Sequence, residues 1–227
     1  MEKSLITYHN PKAPDSEAYR MLRKNIGYTG IDKKNQVILL TSSKMGVGKS
    51  TTAANLALAM AQRDHSVVLI DCDLRRPRMH KMFAVDNSTG LTDLLIKDEP
   101  LENVVFHSVV VDNLDIITSG VIPPMPSELL DSKKMGKFLT RLREKYDYII
   151  IDSPPILSVT DATILSKIVD GVLLVVASNE THVDAIATAK KALDKVGANV
   201  LGSVLTKANI SKRSAYYYDY DYGSKKR

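Results

Sequence analysis

The stretch Ser43-Lys44-Met45-Gly46-Val47-Gly48-Lys49-Ser50 lies between a β-branched apolar run, Val37-Ile38-Leu39-Leu40, and a helical pattern that begins at Ser50. The order is strand, glycine loop, Lys-Ser, helix. Gly46 and Gly48 can take positive φ without a Cβ penalty, so the main chain can curl with its N–H groups pointing into one concavity. The helix that follows aims the positive end of its dipole at the same place. Such a concavity binds phosphate. A lysine in the position of Lys49 neutralises the β- and γ-phosphates of a nucleotide, and a hydroxyl in the position of Ser50 ligates Mg²⁺. The expected nucleotide-binding residues are therefore Lys44, Met45, Gly46, Val47, Gly48, Lys49, Ser50 and Thr51. Lys49→Ala or Lys49→Met is expected to abolish activity and leave the fold intact. Ser43 replaces the first glycine of the usual pattern.

Five further apolar runs recur along the chain: Val67–Ile70, Leu114–Ile117, Tyr148–Ile151, Val172–Ala177 and Val200–Leu205. Most are continuous rather than alternating, as strands buried on both faces read. Between them, Ala53, Leu56, Ala57, Met60 and Ala61 form one apolar stripe over residues 50–63, and Val183, Ile186, Ala189, Leu193 and Val196 form another over 181–196. A third helix is expected at 15–29, with Asp15 or Ser16 as its N-cap. Strands alternating with helices predict an α/β fold, a mainly parallel central sheet with helices on both faces.

Two of the runs close on carboxylates, one at Asp71-Cys72-Asp73 and one at Asp152. Ligands bind at the C-terminal edge of a parallel sheet. Asp71, Asp73 and Asp152 are therefore expected beside the phosphates, where carboxylates hold Mg²⁺ directly or through water and one can accept a proton. Strand alternation would put Asp71 and Asp73 on one side and Cys72 on the other. Pro154-Pro155 stiffens the loop after Asp152, which is placed to sense the γ-phosphate.

The composition fits this reading. Of 227 residues, 31 are basic and 26 acidic, a net charge of +5, and 44% are hydrophobic. No apolar run approaches the ~20 residues of a membrane helix, and the first residues lack the apolar region of a signal peptide. A single cysteine, Cys72, allows neither an internal disulfide nor a multi-cysteine metal site, and the five histidines show no ligand spacing. A cytoplasmic protein is expected. From Lys207 to Arg227 there are six basic and two acidic residues, a net +4 that leaves +1 for the rest. Five of the ten tyrosines, Tyr216, Tyr217, Tyr218, Tyr220 and Tyr222, fall within seven residues there. The cations flank the tyrosine block and Asp219 and Asp221 interrupt it, a pattern suited to a substrate segment. A nucleic-acid-binding tail would interleave cations with aromatics, so no nucleic acid is expected as partner. The chain divides into an N-terminal helical segment (1–34), a nucleotide-binding domain (35–207) and a flexible tyrosine-rich tail (208–227).

Taken together, Lys44, Gly46, Gly48, Lys49, Ser50, Asp71, Asp73 and Asp152 resemble the signature of the deviant P-loop ATPases. Within that group, Asp71-Cys72-Asp73-Leu74-Arg75-Arg76-Pro77, Glu17-x-x-Arg20-x-x-Arg23 and the terminal tyrosines are most similar to the bacterial tyrosine kinases of capsule and exopolysaccharide synthesis. The resemblance spans about residues 15–222. It implies ATP and Mg²⁺ as cofactors, with Asp71 as base and Ser50, Asp73 and Asp152 serving the metal. It further implies autophosphorylation of Tyr216, Tyr217, Tyr218, Tyr220 and Tyr222, and action on other protein substrates. Glu17, Arg20 and Arg23 would make the contacts of a ring-like homo-oligomer. The partner implied is a transmembrane activator that engages the kinase through its cytosolic tail, at the inner face of the membrane. Lys44 stands where partition- and septum-type ATPases carry a lysine that reaches across a dimer, which makes an ATP-hydrolysing switch the alternative. Thr206 stands where many relatives have an asparagine near the adenine.

Overall fold

A computed structural model describes residues 1–30 and 34–208. Residues 31–33 and 209–227 lie outside it, and with them Tyr216, Tyr217, Tyr218, Tyr220 and Tyr222. The elements in chain order are α1 (Ile6–His9), α2 (Pro14–Thr29), β1 (Val37–Ser42), α3 (Lys49–Ala61), β2 (Val67–Asp71), α4 (Met79–Phe83), α5 (Leu91–Lys97), α6 (Leu101–Val104), β3 (Val105–His107), β4 (Leu114–Ile117), α7 (Pro126–Leu130), α8 (Lys133–Lys145), β5 (Tyr148–Asp152), α9 (Asp161–Ser166), β6 (Gly171–Ala177), α10 (Val183–Asp194) and β7 (Val200–Thr206). The strands form one seven-stranded sheet in the order β3-β4-β2-β5-β1-β6-β7. Every pairing is parallel except β3 with β4.

Continuous apolar strands make sense in this sheet because both faces are covered. Val37 and Leu39 join one core with Val68, Ile70, Phe138 and Leu142. Ile38 and Leu40 join the other with Leu56, Met60, Val67 and Leu69. In the central strands β1, β2, β5 and β6 the two faces alternate and both are covered, whereas the edge strands β3 and β7 are partly exposed.

Three local expectations are corrected. Helix α2 begins at Pro14, with Ala13 in the capping position and no side-chain cap. Ser16 instead donates its hydroxyl to the carbonyls of Asn10 at 2.7 Å and Ile6 at 3.1 Å, tying α2 to the segment before it. Helix α3 has no single stripe. Ala54 and Leu58 are as fully buried as Ala53 and Leu56, because α1 and α2 cover the side turned away from the sheet. Asn55 stitches that layer, accepting the Thr7 amide at 2.9 Å and donating to the Ser4 and Thr51 carbonyls. In α10, Ala189 and Leu193 are buried but Val183 is 78% exposed and Val196 lies past the helix end.

The chain order carries the functional consequence. β5 lies between β1 and β2 in the sheet, so the three motifs at residues 43–50, 71–73 and 152 meet at one edge. Register makes this explicit: Asp71 pairs with Asp152, and Leu40 pairs with Asp152 from the other side.

Candidate active site

The loop after β1 turns through Gly46 and Gly48, with φ of 77° and 87°. These are left-handed values that a side chain resists, while the space around a Cβ would be open at Gly46. Conformation rather than room selects glycine at that position. Gly48 caps α3, and its carbonyl accepts both the amide and the hydroxyl of Thr52, at 2.8 and 2.9 Å. Two side chains hold the loop from outside. Ser42 Oγ donates to the Lys44 carbonyl at 2.8 Å, and Thr206, at the end of β7, donates to the Val47 carbonyl at 2.6 Å. Lys44 itself reaches the main-chain oxygen of Glu180 within the same chain. Ser43 is buried and its hydroxyl has no partner.

Lys49 is the first residue of α3 and is almost wholly buried. Its ammonium contacts Asp152 Oδ1 and lies 3.3 Å from the Ser50 hydroxyl. The second oxygen of Asp152, Oδ2, is buried without any partner. A carboxylate oxygen in that condition is a costly group to leave unmade, and it suits a position that a ligand completes.

Asp71 and Asp73 part company. β2 stops at Asp71, and the chain turns so that Asp73 lines the cleft beside the phosphate loop while Asp71 points beneath it. Asp71 Oδ2 accepts the amides of Arg78 and Met79 at 2.8 and 2.9 Å, and Oδ1 accepts that of Asp73 at 3.2 Å. Burial first, then the charge of Asp152, pushes its carboxyl up to about 7, against the pull of those amides. Asp73 is also raised, by burial above all. Cys72, between them, is buried, and its thiol is pushed well up by the same desolvation.

The cleft formed here has a volume of about 710 Å³. It gathers Lys44 through Thr51, Asp73, Arg76, Arg78, His80 and Lys81, and the loop from Gly120 to Ile122. A second cleft, of about 480 Å³, lies at the opposite, N-terminal ends of the strands and contains none of these residues. Sequence reading missed one supporting group. The Arg75 guanidinium grips the wholly buried Asp161 at 2.9 and 3.2 Å and Ser127 at 3.0 Å, and Ser127 donates to Asp161 at 2.5 Å. The signal available for it was the arginine two residues after Asp73, but its partner lies 86 positions away. Glu17, Arg20 and Arg23, far from the loop, line a shallow cleft with Lys24, Gln62 and Arg63.

Comparison with known proteins settles the family. The family model described as "AAA domain" matches residues 35–204. The tyrosine-protein kinase YwqD of Bacillus subtilis is 42% identical over 225 residues, which cover 99% of this chain and 93% of YwqD. The chain belongs to the bacterial tyrosine-protein kinases. Among solved structures, the chimerical protein CapA2B2 superposes with a TM-score of 0.86 at 39% identity, covering 90% of each chain. The kinase domain of the Escherichia coli tyrosine kinase Etk gives 0.85 at 31% identity, covering 91% of this chain and 82% of that one. The kinase thus has a nucleotide-binding P-loop on a mainly parallel sheet. No helix among its described residues is long and apolar enough to cross a membrane.

Proposed function

We propose that the kinase transfers the γ-phosphoryl group of ATP to tyrosine, beginning with Tyr216, Tyr217, Tyr218, Tyr220 and Tyr222 of its own kind, and so regulates exopolysaccharide or capsule synthesis. The observation that supports this most is the convergence of Lys49, Asp73 and the partnerless Asp152 Oδ2 beside one phosphate loop. In the reaction, the tyrosyl oxygen bonds to the γ-phosphorus as its bond to the β–γ bridging oxygen breaks. The protein's part is positioning and charge stabilisation. The amides of residues 44–51 cradle the phosphates, and Lys49 exchanges Asp152 for the phosphate oxygens. Asp71 receives the phenolic proton, and a carboxyl near 7 suits a base working at neutral pH. For that, the tyrosine meets Asp71 Oδ1, whose bond from the Asp73 amide, at 3.2 Å, is the longest of the three, while Oδ2 keeps the amides of Arg78 and Met79.

The acidic set also fits Mg²⁺. The unmatched oxygen of Asp152, the cleft-lining Asp73 and the Ser50 hydroxyl are hard oxygen donors, few enough to leave coordination positions for water and phosphate. When bound, Mg²⁺ supplies further neutralisation of the phosphate charge. Glu17, Arg20 and Arg23 of the 1–34 segment would contact a neighbouring subunit in a ring-like homo-oligomer. That ring would sit at the inner face of the membrane, bound to the cytosolic tail of a transmembrane activator, and would also act on other protein substrates.

Incubation of the purified chain with γ-labelled ATP and Mg²⁺, followed by peptide mass spectrometry, tests the reading. Phosphotyrosine in residues 208–227, absent from Lys49→Met, is the expected result. Free phosphate without phosphotyrosine would instead identify an ATPase switch and overturn it.

A further inference from the structure

The cleft has a wall that none of the roles above uses. It is built by the segment after β2, and Arg76, Arg78, His80 and Lys81 all line it. Arg76, Arg78 and Lys81 are exposed, and among the described residues none of them pairs with a carboxylate. The Arg76 guanidinium rests only against Met45 Sδ, at 3.2 Å. Two acidic groups face this wall: Asp73, which lines the same cleft and accepts the Arg76 amide at 3.0 Å, and Asp86, whose charge reaches His80 and whose carboxylate is bonded to Ser88. Unpaired cations lining a cleft focus its field and draw anions into it.

The wall is also held in place. The Arg78 and Met79 amides are fixed on Asp71, and Met79 and Met82 are buried beneath it. The same cleft carries an apolar rim, Val121 and Ile122, which are 61% and 57% exposed. The loop amides, the α3 N-terminus and Lys49 already meet the charge of a nucleotide. Cations beyond them, next to exposed aliphatic side chains, match a ligand that is both acidic and aromatic.

We propose that Arg76, Arg78 and Lys81, with Val121 and Ile122, form a peptide subsite that selects tyrosines flanked by acidic residues. The proposal rests on the kinase reading above and adds the class of peptide it takes. The chain's own segment Tyr218-Asp219-Tyr220-Asp221-Tyr222 has this composition. The cations take the flanking carboxylates, and the rim takes a neighbouring ring, so complementarity of charge fixes register and selects the partner.

The test uses the full chain with ATP, Mg²⁺ and three peptides that differ only in their flanks: Asp-Tyr-Asp, Asn-Tyr-Asn and Lys-Tyr-Lys. The Asp-flanked peptide should show a kcat/KM about tenfold above the Asn-flanked one, mostly through KM, and the gap should shrink at high salt. The double variant Arg78→Glu/Lys81→Glu should reverse the order and favour Lys-Tyr-Lys, a gain that a misfolded protein cannot show. Equal kcat/KM for the three peptides, or an order unmoved by the double variant, overturns the proposal. So does a rise in KM for ATP with the peptide order unchanged, which would assign these cations to the nucleotide. Phosphate release with no phosphotyrosine on any peptide is a different failure, that of the kinase reading itself, and it removes the proposal too.

Discussion

Lys49 and Asp152 meet with side chains only 8% and 1% exposed, which changes what a substitution at Lys49 does. The sequence leads one to expect a dead enzyme with an intact fold. In the structure, Lys49→Met strands a buried carboxylate whose other oxygen already lacks a partner. Breaking one side of a buried ion pair costs about 3–5 kcal/mol. Urea unfolding should show that loss in Lys49→Met, and Lys49→Met/Asp152→Asn should recover most of it. An unchanged midpoint in the single variant would mean that the pair does not form in solution. Asp71 makes a second residue-scale prediction. Its carboxyl, ordinarily near 3.8, is raised to about 7 in the folded chain. A raised acid binds its proton more tightly folded than unfolded. Its contribution to stability is therefore complete below pH ~4, declines as pH rises to about 7, and is flat above that. At ~1.4 kcal/mol per unit the decline amounts to up to about 4 kcal/mol. Asp71→Asn, which has no such proton, should lack this component when unfolding free energies are compared from pH 4 to 8. The same group, raised by burial in the free protein, should give kcat/KM an acidic limb that Asp71→Asn lacks.

Elements were legible where one physical signal dominated. β1, β2, β5 and β6 are apolar on both faces, and only a covered parallel sheet accommodates that. The glycine loop announces itself because positive φ at Gly46 and Gly48 leaves few alternatives. β3 was not read, since Val105-Phe106-His107 is too short for a period and is held only by its antiparallel partner. α8 could have been found: Met135, Phe138, Leu139 and Leu142 are all buried at helical spacing, behind an N-cap, Ser132, that accepts the Met135 amide. The divergence of Asp71 from Asp73 was not legible. Alternation holds only while the strand continues, and β2 stops at Asp71, whose carboxylate is held by the amides of residues 78 and 79. The Arg75–Asp161 grip belongs to the same class, a bond between the exit of β2 and the start of α9 that no local pattern encodes. It argues for a test at this scale. Arg75→Ala leaves Asp161, wholly buried, with the Ser127 hydroxyl as its remaining side-chain partner among the described residues. Because the arginine is 38% exposed, the cost is reduced from that of a fully buried pair to about 1–3 kcal/mol. The loop carrying Asp73 would loosen with it, so kcat should fall more than KM for ATP rises. If both constants stay unchanged while stability drops, the grip serves the fold alone.

At the scale of the whole molecule, the α2 face tests whether kinase chains associate in the ring proposed above. Within one chain Glu17, Arg20 and Arg23 already have partners. Arg20 pairs with Glu17 at 2.7 Å and donates to the Pro11 carbonyl at 2.5 Å. Arg23 donates to the Ala59 carbonyl, in the last turn of α3, at 2.6 Å. These bonds differ in what they hold. The Glu17–Arg20 pair is an i,i+3 contact near the surface, worth about 0.2–0.5 kcal/mol, so trading it for a neighbour's side chain costs the chain little. Arg23 instead satisfies a helix-terminal carbonyl that has lost its intrahelical donor. Glu17→Gln should therefore leave unfolding within about 0.5 kcal/mol of the parent, while shifting sedimentation velocity toward smaller species. Arg23→Ala should lower stability by about 1 kcal/mol as well. The contrast separates an interface from a structural face. If Glu17→Gln sediments as the parent does across the concentrations at which the parent self-associates, the chains meet elsewhere, and the i,i+3,i+6 spacing reports only the packing of α2 on α3.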